Sequence, residues 1–438
     1  MISSGMLDEL FARRRERPFP FLLETALASE RSGTASLIGS DPFAVLVATG
    51  RRIELHENGG RETHEGSPFD ALRAILARLA RESARPDAIQ VVGYFGYDLA
   101  CHLERVPRHA ERDQHFPDLL LGFYDSAVLI DHASGAVREI RDPSPRPRAL
   151  RPGADHELLP ASIATAGSNF DRASYLAAVE RARELIRQGE IYQVNLSQRF
   201  AARIDGDPFE LYRRLRRSSP APYAAYLELG DRAVISSSPE EFFRVEHGVA
   251  TTRPIKGTRP RGRNEAEDRR MAEELLSSAK DDAELVMIVD LERNDLGRIS
   301  EPGSVEVPVL KTIERHPTVW HLSATITGRL LPGLGPVELL ENAFPGGSVT
   351  GAPKIRAMEA IDELEPTRRS VFTGAIGWLT PAGTMRSSVA IRTMQVHGPH
   401  VTFQVGGAVV WDSDAEGEYR ETLVKARGMA EALGIGLE

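Results

Sequence analysis

A single cysteine, Cys101, stands in 438 residues, so the chain builds neither a disulfide framework nor a thiolate metal cage. Long apolar runs are missing too. None approaches membrane-spanning length, and Met1 to Pro18 has neither an apolar core nor a small-residue cleavage site. No membrane partner is expected, and the reading is a cytoplasmic protein. Basic runs are equally scarce. The net charge is −9, and the one basic cluster, Arg213-Arg214-Leu215-Arg216-Arg217, lies in a helical pattern and is expected to be a solvated face. That balance argues against a nucleic-acid partner. What is present is a globular composition, 41% apolar and 27% charged, long enough for one large domain or two to three ordinary ones.

The stretch Asp142 to Asn169 is rich in Pro, Arg, Gly, Ala and Ser and carries no periodic apolar pattern, so it reads as a connection. The expected division is an N-terminal domain over 1–145, a linker over 146–168 and a catalytic domain over 169–438. In the first, strand-like runs at 43–47, 89–94 and 127–130 accompany a helix over 68–82. The second opens on a helix capped by Asp171 with an apolar stripe from Tyr175 to Ile186 and a stop at Gly189. A strand follows in which Gln193, Asn195 and Ser197 share one face. Further strands are expected at 224–229, 234–237, 242–245, 375–379, 389–394 and 401–405, and helices at 265–277, 281–291, 336–343, 354–363 and 416–433. Strands and helices do not alternate strictly, so the predicted class is α+β: a sandwich of sheets and helices with an intertwined N-terminal α/β region.

Three features carry chemistry. Asp281/Glu284 and Glu418/Glu421 have i, i+3 spacing, which places each pair on one helix face. Oxygen-only ligands of this kind suit Mg²⁺; on spacing alone, two solvated faces are the favoured reading. The segment Pro345-Gly346-Gly347-Ser348-Val349-Thr350-Gly351-Ala352-Pro353-Lys354 offers backbone N–H groups to an anion. It is no nucleotide loop, because Ala352 stands where the lysine must follow the second glycine and Pro353 removes a donor. A carboxylate is the better guest, and a plain turn stays open. Lys256, between Pro254-Ile255 and Gly257-Thr258, becomes a nucleophile or base near neutral pH if its site is desolvated.

Taken together, Gly189-Glu190-Ile191-Tyr192-Gln193-Val194-Asn195-Leu196-Ser197, Ser238-Pro239-Glu240, Pro254-Ile255-Lys256-Gly257-Thr258, the run from Ile288 to Arg298, the glycine loop and Ala390-Ile391-Arg392-Thr393 resemble the chorismate-utilising enzymes. That family includes anthranilate synthase, isochorismate synthase, salicylate synthase and aminodeoxychorismate synthase. The resemblance covers 170–438 and extends more weakly through Gly93-Tyr94-Phe95-Gly96-Tyr97-Asp98. Within it, Lys256 resembles the members that place nitrogen at C4 of chorismate; anthranilate synthases typically carry Ala there. Members that add water have a lysine base where Gln193 stands.

The resemblance implies a set of roles. Glu284 and Glu421 would hold Mg²⁺, with Asp281 and Glu418 behind them. Lys256 would attack C2 while Glu240 acts as general acid, and His321 would lie near the ring. Thr258, Gly257, Arg392, Lys425, Gly406, Gly347 and Thr350 would hold chorismate. Departures are Phe372 where Tyr is frequent, Ala408 ending a glycine tract, and Arg386 in place of an acid. Nothing in the chain would release ammonia from glutamine, because Cys101 lacks the glycine-flanked elbow, so a glutamine amidotransferase partner is implied. Leu22-Leu23-Glu24-Thr25 lies near the tryptophan-binding segment of relatives. The rivals are an anthranilate synthase, disfavoured by Lys256, and a non-catalytic paralogue, which would lack one of Glu240, Lys256, Glu284 or Glu421.

Overall fold

The computed structural model describes residues 4–25, 35–149, 167–316 and 319–437. Among them, two large antiparallel sheets pack face to face. The first runs in the order Gly167–Ser168, Gln193–Arg203, His400–Val409, Thr393–His397, Arg232–Ser238, Tyr223–Leu229, Phe21–Glu24, Ala35–Gly39, Ser126–Asp131, Val137–Arg141. The second runs Ile255–Pro260, Val319–Arg329, Val249–Arg253, Glu241–Glu246, Met385–Val389, Ala375–Leu379, Gln90–Phe95, Leu119–Tyr124, Ala44–Thr49, Arg52–Glu57, Gly60–Glu65.

Both sheets draw strands from both halves of the sequence. Phe21 pairs with Leu227 in the first, and Phe95 with Ala375 in the second. Their facing surfaces close over one apolar layer that includes Leu37, Val92, Tyr94, Ala225, Val234 and Ile376. On the outside, helices Ser4–Arg15, Pro208–Ser218 and Ala415–Leu433 cover the first sheet. Helices Pro68–Glu82, Ala279–Gly297 and Pro336–Ala343 cover the second. Each outer helix buries one stripe and exposes the other: in Ala279–Gly297, Leu285, Ile288 and Val289 are buried while Val286 is exposed.

Local reading and structure part at three places. The expected strand over 389–394 is two strands in different sheets. Met385–Val389 belongs to the second and Thr393–His397 to the first, and the chain crosses between them at Ala390-Ile391-Arg392. The backbone of Ala390 bonds to Gly374 and Thr373 instead of continuing the ladder, and Arg392 takes a left-handed φ of 49°. Strands Val249–Arg253, Ile255–Pro260, Glu306–Arg315 and Val319–Arg329 were not anticipated; charges and proline interrupt the apolar positions of Ile255–Pro260 and Glu306–Arg315. The basic cluster is not wholly solvated either. Arg216 is buried, bonding Asp8 at 2.9 and 3.0 Å and Glu24 at 3.1 Å, because its helix lies against the N-terminal helix and Glu24.

Of the expected connection, residues 150–166 lie outside the described residues. The part before them packs on the N-terminal strands: Arg146 bonds Asp142 at 2.8 Å and lies over the Phe43 ring. Among the described residues no helix is long and apolar enough to cross a membrane.

Candidate active site

Two chain crossovers between the sheets lie side by side and create the site. At the first, strand Arg232–Ser238 leaves one sheet and Glu241–Glu246 enters the other, with Pro239 and Glu240 between. At the second, the chain returns through Ala390-Ile391-Arg392. Backbone bonds lock them together: Val389 N–H donates to the Glu240 carbonyl at 3.1 Å, and Ser237 N–H to the Arg392 carbonyl at 3.0 Å. Glu240 and Arg392, far apart in sequence, are thereby held in one region.

Lys256 comes from strand Ile255–Pro260 and is only 8% exposed. Burial lowers its pKa, against the opposing pull of Glu284 and Glu240. Its Nζ donates to the Ser348 carbonyl at 3.1 Å. The Glu240 carboxyl is raised by burial, while the Ser348 hydroxyl, the Lys256 charge and the Ile255 N–H favour its ionised form. Acid and amine are therefore shifted toward each other.

The next residues follow from a bulge. The ladder between Ile255–Pro260 and Val319–Arg329 breaks between Lys256 and Thr258, at Gly257, whose φ is +69°. A side chain at 257 would meet the Asp281 carboxyl at 2.9 Å, so glycine is what lets this strand approach the first acidic helix. Beyond the bulge, Thr258 Oγ1 lies 3.0 Å from His321 Nδ1. His321 is buried and its pKa is pushed well below the usual value by burial and by the Arg392 charge, so the ring is neutral. Its Nε2 has no partner among the described residues. Arg392 itself makes no ion pair there, and burial alone lowers its pKa. An arginine without a counter-charge is a ready carboxylate receptor.

The four acids approach across the same region. Glu418 takes a hydrogen bond from Ser413 Oγ at 2.6 Å, but its Oε2 is buried without a partner. Both Glu418 and Glu421 lie over Gly407, where a Cβ would meet Glu418 Oε2 at 2.8 Å. Glu421 Oε1 is 2.7 Å from Lys425 Nζ, which also donates to the Gly406 carbonyl at 2.8 Å. Glu284 is raised by burial and by the like charges of Asp281 and Glu421, with Lys256 and Lys280 opposing. Asp281 is set apart by its bond to Arg259 at 3.0 Å. Among the described residues no three such groups are placed to hold an ion by themselves. The oxygen-only donor set, the mutual repulsion and the orphaned Glu418 oxygen nevertheless fit a two-carboxylate site for a hard cation completed by water and ligand oxygens.

The glycine loop closes the region. Its turn Gly347–Val349 rests on Leu291, which occupies the place of a Gly347 side chain. Thr350 Oγ1 donates to the loop's own Gly346 carbonyl at 2.9 Å, so this hydroxyl shapes the loop. Two features were missed in the sequence. One is Ser348, which touches both Lys256 and Glu240. The other is the buried pair Arg369–Glu365: Arg369 donates to the carbonyls of Val349 at 2.9 Å and Asn195 at 2.6 Å, and Glu365 accepts from Ser197. Neither had a signal in local patterning. Gln193 is fully buried with both amide atoms unpartnered among the described residues. Phe372, also buried, offers no hydroxyl. Cys101 is half-buried with its thiol pKa raised by burial, unlike an activated nucleophile.

A family model for chorismate binding enzymes matches residues 23–431. Aminodeoxychorismate synthase component 1 of Salmonella typhimurium is 45% identical over 95% of this chain and 94% of its own length. The protein of that name from Klebsiella aerogenes is 39% identical over the same shares. The crystal structure of anthranilate synthase component I from Streptococcus pneumoniae superposes with a TM-score of 0.78 at 32% identity, covering 92% of this chain and 93% of that one.

Proposed function

We propose that this chain, which belongs to the chorismate binding enzymes, replaces the C4 hydroxyl of chorismate with an amino group, as an aminodeoxychorismate synthase component 1. The observation that carries the reading is Lys256: a desolvated amine beside a carboxyl whose pKa is raised, both held by Ser348.

In this reading the Lys256 amine adds to C2 of the ring. The two ring double bonds shift, and the C4–O bond breaks as Glu240 protonates the departing hydroxyl, which leaves as water. Ammonia then adds to C4, the double bonds shift back, and Lys256 is expelled from C2. The proton lost by nitrogen restores Glu240. Arg392 pairs with one substrate carboxylate, and Lys425, Thr258 and the backbone of Gly406 support binding. Neutral His321, with a free Nε2, serves as a hydrogen-bonding partner near the ring. Glu284 and Glu421 would hold Mg²⁺, which when bound supplies positive charge to the ring carboxylate.

Ammonia is taken from a glutamine amidotransferase subunit, since Cys101 is no glutaminase nucleophile; the component 1 designation of the relatives supports a two-part enzyme. One unpaired cysteine suits a reducing, cytoplasmic setting. The test is product identity. With chorismate, Mg²⁺ and an ammonium salt, the purified chain should form 4-amino-4-deoxychorismate, convertible by a lyase to 4-aminobenzoate. Anthranilate as the product would assign the chain to the C2-aminating branch instead.

A further inference from the structure

Ser348 contacts both reacting groups at once. Its carbonyl accepts from Lys256 Nζ at 3.1 Å, and its side chain lies beside the Glu240 carboxyl and favours the ionised form. It is 4% exposed and sits at the centre of a turn that cannot shift freely. Arg369 holds the Val349 carbonyl, Thr350 holds the Gly346 carbonyl, and Leu291 fills the space beside Gly347. A residue so immobilised determines where nucleophile and acid wait relative to each other.

We propose that Ser348 is a positioning residue that couples the nucleophile to the general acid: its carbonyl retains the Lys256 amine until the ring arrives, and its hydroxyl fixes the Glu240 carboxyl beside that amine. This rests on the roles given above to Lys256 and Glu240. The arrangement has a chemical consequence. Transfer of one proton from the Lys256 ammonium to the Glu240 carboxylate makes both groups competent together, as free amine and as acid. That exchange depends on the two being held in fixed register.

The groups facing Glu240 are Lys256 and the Ile255 N–H from strand Ile255–Pro260, Lys425 from helix Ala415–Leu433, Glu292 from helix Ala279–Gly297, and Ser348 from the loop. Of these, only Ser348 combines a hydroxyl on the acid with an acceptor for the amine. Because a donated hydrogen bond favours the ionised carboxylate, its loss should let Glu240 keep its proton to higher pH.

The experiment is the pH profile of kcat for S348A and S348T, with chorismate and ammonium. For S348A we expect kcat to fall at least about ten-fold, within the contribution of a positioned acid. The alkaline limb should move up by about half to one pH unit, the scale of one hydrogen bond. The chorismate KM should change little, and S348T, which keeps the hydroxyl, should recover both kcat and the limb. An S348A enzyme with native kcat, or with reduced kcat and an unmoved limb, would overturn the inference. A wild-type chain that does not aminate C4 would defeat the reaction reading itself, and that result is seen before any variant is made.

Discussion

At Lys256 two opposing influences meet. Burial disfavours the ammonium, while Glu284, Glu240 and Glu292 favour it, and burial is the largest of these. The signs have a consequence for pH. A lowered lysine supplies free amine at lower pH than usual, and a raised Glu240 stays protonated at higher pH than usual, so the two requirements approach each other. If the amine acts by bonding to C2, removing it opens that carbon to ammonia. Lys256→Ala should therefore turn over slowly and shift its product to 2-amino-2-deoxyisochorismate or anthranilate, which chromatography with mass detection resolves. A slow variant that still aminates only C4 would show the lysine to be a base or a carboxylate ligand. Lys256 was legible in the sequence because its neighbours, Pro254-Ile255 and Gly257-Thr258, are themselves unusual. Ser348 was not, because half of its role belongs to a backbone carbonyl, which every residue has.

Single elements explain why the acids were only half readable. Helices Pro68–Glu82, Glu265–Ser277 and Pro336–Ala343 could be placed to the residue, since caps and apolar stripes are local signals. The spacing of Asp281/Glu284 and Glu418/Glu421 was equally plain. That Lys280 and Glu284 of the first helix come within electrostatic reach of Glu418 and Glu421 of the second depends on tertiary packing, and no spacing states it. The break between Val389 and Thr393 was hidden for the same reason: Ala390 is diverted by Gly374 and Thr373, which belong to another segment. The roles proposed for the helices differ within each pair. Glu284→Gln and Glu421→Gln should each lower kcat by at least about 10²-fold, the upper end of what removing even a supporting partner of a metal site costs. Their melting temperatures should stay within a few degrees of the parent, because neither carboxylate anchors a core contact. Treatment with EDTA should abolish activity in the parent, and added Mg²⁺ should restore it; full turnover of either variant in metal-free buffer would remove the two-glutamate site.

The whole molecule joins its halves through hydrogen-bonded sheets. Strands from 21–24, 35–39 and 126–141 complete the first sheet, and strands from 44–65, 90–95 and 119–124 complete the second. The crossovers bearing Glu240 and Arg392 are thus anchored in sheets that both ends of the chain build. A proline- and arginine-rich stretch announces a connection in sequence, but only the pairing of Phe21 with Leu227 and of Phe95 with Ala375 reveals how thoroughly the segments on either side interleave. This shared framework can hold acid, amine and substrate in register while a covalent intermediate forms and is resolved. The most direct measurement is the intact mass of the full chain after incubation with chorismate and Mg²⁺ in the absence of ammonia, followed by peptide mapping. The expected result is a species heavier by chorismate less one water, located on the peptide containing Lys256, absent from Lys256→Ala and discharged by ammonium as 4-amino-4-deoxychorismate. An unmodified chain that nevertheless aminates C4 when ammonium is added would contradict it.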